Sequence, residues 1–397
     1  MRVLMVSDVY FPRINGVSTA IQTYHRSLQA NGIEVGLVAP DYGNSCVEPW
    51  ISRVPARPVP RDPEDRLVRW RAMHEAVDRA AKLGFDLIHV QTPFIAHYAG
   101  LKTARRCGLP VIATYHTLFE EYLKHYAPMI PSSWLRSLAR GFSRRQCNEL
   151  DGVIVPSRAI HERLTSYGVV APLHVLPTGI SLQAEADPGV RNAFRATHGI
   201  DPARPVALFV GRVAHEKNID FLIDVMVHVR ESIPDILLLI AGEGPALPRL
   251  QNVVHERGLL RNVQFIGYLD RTTELPACYV AADVFVFASR TETQGLVLLE
   301  AMAAGLPVVA LAEMGTVDIL GARRGALVPE DRADYFAQTV VRVLLDIELR
   351  QRLSQEGRAY AAEWSDERLA VRMAEFYRHV VATHSQANDF SFDLLPL

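Results

Sequence analysis

The chain has 397 residues, 49% hydrophobic and 22% charged, which is enough for two or three domains with sizeable cores. That composition excludes disordered, coiled-coil and collagen-like chains, and a formal charge of −2 argues against a dedicated nucleic-acid binder. The charge is unevenly spread: residues 1–183 carry 21 Lys and Arg against 15 Asp and Glu, and the remainder carries 21 against 29.

Short Val/Ile/Leu runs alternate with longer helical stretches along the whole chain, the pattern of parallel sheets with helices on both faces. The first half offers strands at Val3–Val6, Glu34–Val38, Leu87–Val90, Val111–Thr114, Gly152–Val155 and His174–Leu176. A second series follows at Val206–Val210, Ile236–Ala241, Val263–Phe265, Val284–Ala288 and Val308–Ala310. Eleven strands are too many for one ordinary open sheet, so the expectation is α/β, with two doubly wound domains in tandem. Their seam is expected between Pro177 and Pro205, where Pro and Gly interrupt the pattern. We place the N-terminal domain at 1–178 and the C-terminal domain at 179–365. A last helix over 366–383 carries Leu369, Met373, Phe376 and Val380 at helical spacing, and 384–397 reads as a flexible tail.

Cys46, Cys107, Cys147 and Cys278 are far apart, with neither disulfide-scaffold nor zinc spacing. The N-terminal apolar run is too short for a signal peptide, and no window suits a spanning helix. The expected location is cytoplasmic.

In open α/β sheets ligands bind beyond the carboxyl ends of strands, and the informative residues fall there. After Val284–Ala288 comes Glu292, then Gln294-Gly295-Leu296 opening a helix, with Glu300 one turn further on. Free amides at that helix start can receive a phosphate, and Gly295 lets backbone approach closely. A carboxylate at Glu300 can accept two vicinal hydroxyls such as a ribose presents, while Glu292 reaches a second hydroxylated group. The alternative is two solvated glutamates beside an ordinary helix. After Val206–Val210 come Arg212 and Lys217, cations able to neutralise a diphosphate without a metal, or else to pair with Glu216 at the surface. After the first strand, Asn15-Gly16-Val17 offers one glycine in a loop. His116 follows Val111–Thr114, where an imidazole can hold a sugar hydroxyl or shuttle a proton. Phe119 and Tyr122 can line an apolar acceptor groove or pack in a core. Ile240-Ala241-Gly242-Glu243-Gly244-Pro245 is a poor dinucleotide fingerprint, which disfavours a dehydrogenase.

Glu292 and Glu300 eight apart, Gly211-Arg212 with Glu216-Lys217-Asn218, Ile240–Pro245 and Asn15-Gly16-Val17 together resemble glycosyltransferase family 4. The resemblance implies a GT-B fold, in which two Rossmann-like domains face one another across a cleft. The acceptor lies in the first domain and the nucleotide-sugar chiefly in the second; the last helix crosses back. It also implies retention of anomeric configuration without cofactor or metal. By motif, Arg212 and Lys217 hold the diphosphate with Gly16 close by, Glu292 the transferred sugar and Glu300 the ribose. Gln294, Gly295 and Leu296 line the donor site, backbone near Ile266 meets the base, and His116 sits beside the sugar. The catalytic set is therefore His116, Glu292, Arg212 and Lys217.

Within the family, Val90-Gln91-Thr92-Pro93-Phe94 and Tyr115-His116-Thr117 are most similar to diacylglycerol α-glucosyltransferases, and also to glycolipid and phosphatidylinositol mannosyltransferases. That implies UDP-glucose as donor and a lipid acceptor, diacylglycerol, near Thr92, Phe119 and Tyr122. GDP-mannose with a lipid or polyol acceptor, an epimerase, and a non-catalytic binder are the alternatives. Arg136, Arg140 and Arg144 recur every fourth residue on a helical stretch with Trp134, Leu138 and Phe142 roughly opposite. This face can rest on an anionic membrane, giving peripheral attachment at the inner surface, or can simply be solvated. Oligomeric state is left open.

Overall fold

Apolar runs of four or five residues, buried along their whole length, can be satisfied only inside a sheet covered on both faces. The computed structural model, which describes residues 1–13, 15–43, 48–59, 62–116, 132–182 and 188–392, builds two such sheets. In the first, β1 (Arg2–Val6), β2 (Glu34–Pro40) and β3 (Ile51–Val54) run to one edge. A separate antiparallel pair, β4 (Ala56–Val59) and β5 (Asp62–Val68), follows. Strands β6 (Leu87–Val90), β7 (Val111–Thr114), β8 (Gly152–Val155) and β9 (Leu173–Val175) then build toward the other edge. The order is β3-β2-β1-β6-β7-β8-β9, parallel throughout.

The second sheet contains β10 (Val206–Val210), β11 (Leu237–Ala241), β12 (Val263–Gly267), β13 (Val284–Phe287), β14 (Val308–Ala310) and β15 (Ala326–Leu327). Its order, β12-β11-β10-β13-β14-β15, is again all parallel. Each sheet reverses its direction of growth once, between β1 and β6 in the first and between β10 and β13 in the second. At such switch points the loops leave to opposite faces and open a crevice.

Contacts divide the chain into Met1–Gly179 with Asp366–Leu397, and Ile180–Ser365. Both units are Rossmann-like. The final helix, Asp366–Phe392, packs on the first unit. Met373, Phe376, Tyr377 and Val380 are buried with Ile21, Tyr24 and Leu28 of the helix Gly16–Gln29. Leu369 is only half-buried, and Ala370 takes the inner position. Polar bonds fasten the contact. Tyr377 Oη lies 2.7 Å from His89 Nδ1, His89 Nε2 lies 2.7 Å from Thr114 Oγ1, and Arg26 pairs with Asp366 at 2.9 Å. The helix runs past the expected end at residue 383 because neither Gly nor Pro interrupts it before Phe392.

Candidate active site

In the second unit the switch point brings together the loops after β10 and β13. The first carries Arg212 and the short 3₁₀ turn His215–Lys217; the second leads into the helix Leu296–Ala303. Backbone bonds hold the Arg212 loop against the neighbouring loop after β11. Gly211 N donates to Ala241 O (3.0 Å), Val213 N to Glu243 O (2.9 Å) and Ala246 N to Val213 O (3.0 Å). The approach is so close that a Cβ at Gly242, whose φ is +137°, would lie 2.0 Å from Gly211 O. The run Ile240–Pro245 thus acts as a backbone brace under the Arg212 loop, a role its glycine spacing did not reveal.

Lys217 Nζ hydrogen-bonds and ion-pairs with Glu292 Oε1, and both side chains are largely buried. Burial pushes the Glu292 carboxyl up, but the Lys217 charge and hydrogen bond, with the Ser289 hydroxyl, outweigh it and hold it below its ordinary value. Asn218, at φ +54°, donates to Ala288 O (3.2 Å) and ties the two loops together. Arg212 is exposed and forms no hydrogen bond or ion pair with a described residue. The loop thus carries an uncommitted guanidinium and, five positions on, a cation already balanced by a carboxylate.

The helix Leu296–Ala303 opens at Gly295 in the left-handed conformation, φ +96°. A side chain there would meet Thr316, with Cβ 2.9 Å from its Cγ2. No side chain among the described residues caps this helix, and at an uncapped helix start the backbone amides and the dipole favour an anion. Gln294 is buried and Leu296 half-buried beside them. Glu300, in the same helix, is gripped from both sides: Arg271 Nη2 donates to Oε1 (2.8 Å) and Tyr279 Oη to Oε2 (2.9 Å). Neither partner was foreseen. They lie 29 and 21 positions away, and the only signal was that Arg271 follows a strand. Ile266 is a half-buried residue of β12 in the same unit.

In the first unit, Gly16 opens the helix Gly16–Gln29, where Asn15 Oδ1 accepts from Ser18 N (2.9 Å). A Cβ at Gly16 would meet nothing within 4 Å, so this loop leaves the backbone open to a ligand. His116, just beyond β7, places Nε2 2.9 Å from Gln91 Oε1, just beyond β6. Burial pushes the imidazole down to about 4, so it is neutral near pH 7 and its Nε2–H donates to the amide oxygen. Gln91 is buried and its Nε2 has no partner among the described residues. Thr92, expected to touch acceptor, is buried, and its hydroxyl donates to Asp8 Oδ2 (2.7 Å). That bond anchors Asp8 at the start of the helix Ile95–Cys107.

Phe119 and Tyr122 lie outside the described residues, as does the side chain of Arg136. Arg140 and Arg144 project from the helix Ser132–Cys147 and are exposed. Leu138, expected opposite them, is 62% exposed as well, because the inward face consists of Ala139, Ser143, Gln146 and Cys147. Arg53 is engaged differently: it donates to Phe11 O (3.0 Å) and Pro40 O (3.1 Å) and covers the Tyr10 ring. It braces a loop. No helix among the described residues is long and apolar enough to cross a membrane.

Two sequence profiles match the chain, one half each: "Glycosyltransferase Family 4" over residues 14–184 and "Glycosyl transferases group 1" over residues 190–360. An α-monoglucosyldiacylglycerol synthase of Streptococcus pneumoniae is 34% identical over 318 residues, 78% of this chain and 71% of that protein. This chain belongs to glycosyltransferase family 4. A second family relative, a GDP-mannose-dependent α-mannosyltransferase of Mycobacterium tuberculosis, is 29% identical across 92% of this chain and 93% of its own length. Among solved structures, a sucrose-phosphate synthase from Thermosynechococcus elongatus superposes with a TM-score of 0.79 over 96% of this chain and 99% of that one, at 24% identity. The fold is GT-B, and the chain is a glycosyltransferase.

Proposed function

We propose that this glycosyltransferase moves glucose from UDP-glucose to diacylglycerol with retention of configuration and without a metal. The C-terminal unit takes the donor and the N-terminal unit the acceptor. Support for the donor assignment comes chiefly from one observation, an exposed Arg212 on the same loop as Lys217, which pairs with Glu292 at a sheet switch point. Arg212, Lys217 and the amides after Gly295 neutralise the diphosphate; Glu292 accepts from sugar hydroxyls and Glu300 from the ribose. Breaking the bond between the anomeric carbon and the phosphate oxygen builds negative charge on the leaving diphosphate, which these groups stabilise. The acceptor hydroxyl bonds to the same face of that carbon and gives its proton to the leaving phosphate. His116, neutral at working pH, serves the sugar as a hydrogen-bonding group, not as a standing acid.

The acceptor assignment is supported by similarity to the pneumococcal synthase. Exposed Leu138 alongside Arg140 and Arg144 supports peripheral attachment to an anionic inner leaflet. A second reading, a GDP-mannose-dependent mannosyltransferase, is favoured by the mycobacterial relative's near full-length match.

The deciding experiment is a matrix of UDP- and GDP-sugars against diacylglycerol, with lipid products separated and anomers assigned by NMR. An α-glucosyl lipid formed from UDP-glucose is expected. Product only from GDP-mannose would establish the second reading, and a β-linked product would overturn retention.

A further inference from the structure

Glu300 is asked to bind a neutral diol within reach of a strongly anionic diphosphate. An ionised carboxylate there repels the ligand it should receive, unless something balances its charge and fixes its plane. Arg271 and Tyr279 meet both needs. Arg271 Nη2 donates to Oε1 at 2.8 Å and Tyr279 Oη to Oε2 at 2.9 Å, one donor on each oxygen. The Glu300 side chain is 19% exposed and that of Arg271 34%, while Tyr279 is buried.

A carboxylate offers about four lone-pair sites, two per oxygen. With one on each oxygen taken, one on each remains, and the two that remain match a vicinal diol with one hydroxyl per oxygen. The clamp also stops the carboxylate rotating. We propose that Arg271 is a positioning residue of the donor site: with Tyr279 it holds Glu300 ready for the two ribose hydroxyls and offsets its charge beside the diphosphate.

The inference rests on the reading that Glu300 meets the ribose, and the test separates the two. Binding of UDP and GDP is measured by calorimetry, and the tighter one is then compared with its 2′-deoxy counterpart. The proteins are wild type, Glu300→Ala, Arg271→Met, Arg271→Lys and Tyr279→Phe, each checked for a normal thermal melt. A hydrogen bond to a charged group predicts that wild type loses about tenfold or more on removal of the 2′-hydroxyl. Arg271→Met should weaken nucleotide binding and shrink that discrimination to about threefold. Arg271→Lys should recover affinity more than discrimination, because an ammonium keeps the charge and loses the planar fork. Tyr279→Phe, which removes one hydroxyl from a filled core, should also reduce discrimination.

If Glu300→Ala binds both nucleotides as wild type does, the ribose reading itself fails. If Glu300→Ala binds poorly while Arg271→Met keeps full discrimination, the ribose reading stands and the positioning role is overturned, whether or not overall affinity has dropped.

Discussion

Lys217 and Glu292, 75 positions apart, meet as a largely buried ion pair where the loops after β10 and β13 converge. Breaking such a pair costs more than it stabilises, because the survivor is left charged and uncompensated. Lys217→Ala should therefore lower turnover at least about a hundredfold, and so should Glu292→Ala, each removing the charged contact to substrate proposed above and leaving its partner stranded. The double variant should be far less than additively worse. Steady-state rates for the three proteins test this; normal rates in either folded single variant would remove the pair from the site.

Gly242 predicts a different kind of failure. At φ +137°, with its Cβ direction ending 2.0 Å from Gly211 O, the position has no room for alanine. Gly242→Ala must separate the β10 and β11 loops or strain the backbone, at a cost of about 2 kcal/mol or more. Because the Arg212 loop rests on that contact, nucleotide affinity should fall with stability. Denaturant midpoints and calorimetry on one sample check both. A variant as stable as wild type would mean that the loops close without this brace.

Eleven strands, β1, β2 and β6 to β14, were legible because buried parallel strands are written as largely continuous apolar runs. What was missed failed for definite reasons. Strands β3 to β5 lie in 51–68, where Pro55, Pro58, Pro60 and Pro63 alternate with arginines, a pattern tolerated only at sheet edges and in isolated hairpins. Strand β15 has two residues. The candidate residues Lys217, Glu292, His116 and Arg212 could be picked out by their position just after strands. Their partners could not. Nothing in the spacing of Arg271 or Tyr279 from Glu300, or of Gln91 from His116, reports a contact that exists only once strands are ordered side by side.

The first unit should lose stability in mild acid. Burial holds His89 down to about 3 and His97 to about 4, with Arg105 adding to the second even though Glu149 lies 4.0 Å from its Nε2. His116, at about 4, behaves alike. Their folded values lie below the ordinary 6.5, so from about pH 6.5 to 4 the unfolded chain binds more protons and stability falls as pH falls. Asp8 opposes them. Burial raises it to about 6, so its contribution is present in acid and is lost as pH rises from about 4 to 6. These three groups against Asp8 leave about two protons, a slope near 3 kcal/mol per pH unit around pH 5, and His25 and His174, also lowered by burial, add to it in the same sense. Urea titrations from pH 7 to 5 measure it. His97→Leu should remove about one proton from the slope, and an unchanged slope would show that His97 is not buried neutral.

The helix Ser132–Cys147 carries Arg140, Arg144 and Leu138 exposed, with Arg140 lying over the Tyr167 ring. If it rests on a membrane, the two parts should fail in different ways. Each arginine near an anionic surface contributes about 1 kcal/mol, and that contribution is screened by salt. Reversing Arg140 and Arg144 to glutamate should therefore cut co-sedimentation with phosphatidylglycerol vesicles by more than about tenfold and flatten its salt dependence. Leu138→Ser removes apolar contact only, so binding should weaken by about fivefold with the salt dependence intact. Both variants should keep their activity on detergent-dispersed diacylglycerol, since a dispersed acceptor needs no membrane docking surface. Equal vesicle binding by wild type and the double reversal would exclude this helix as the docking surface.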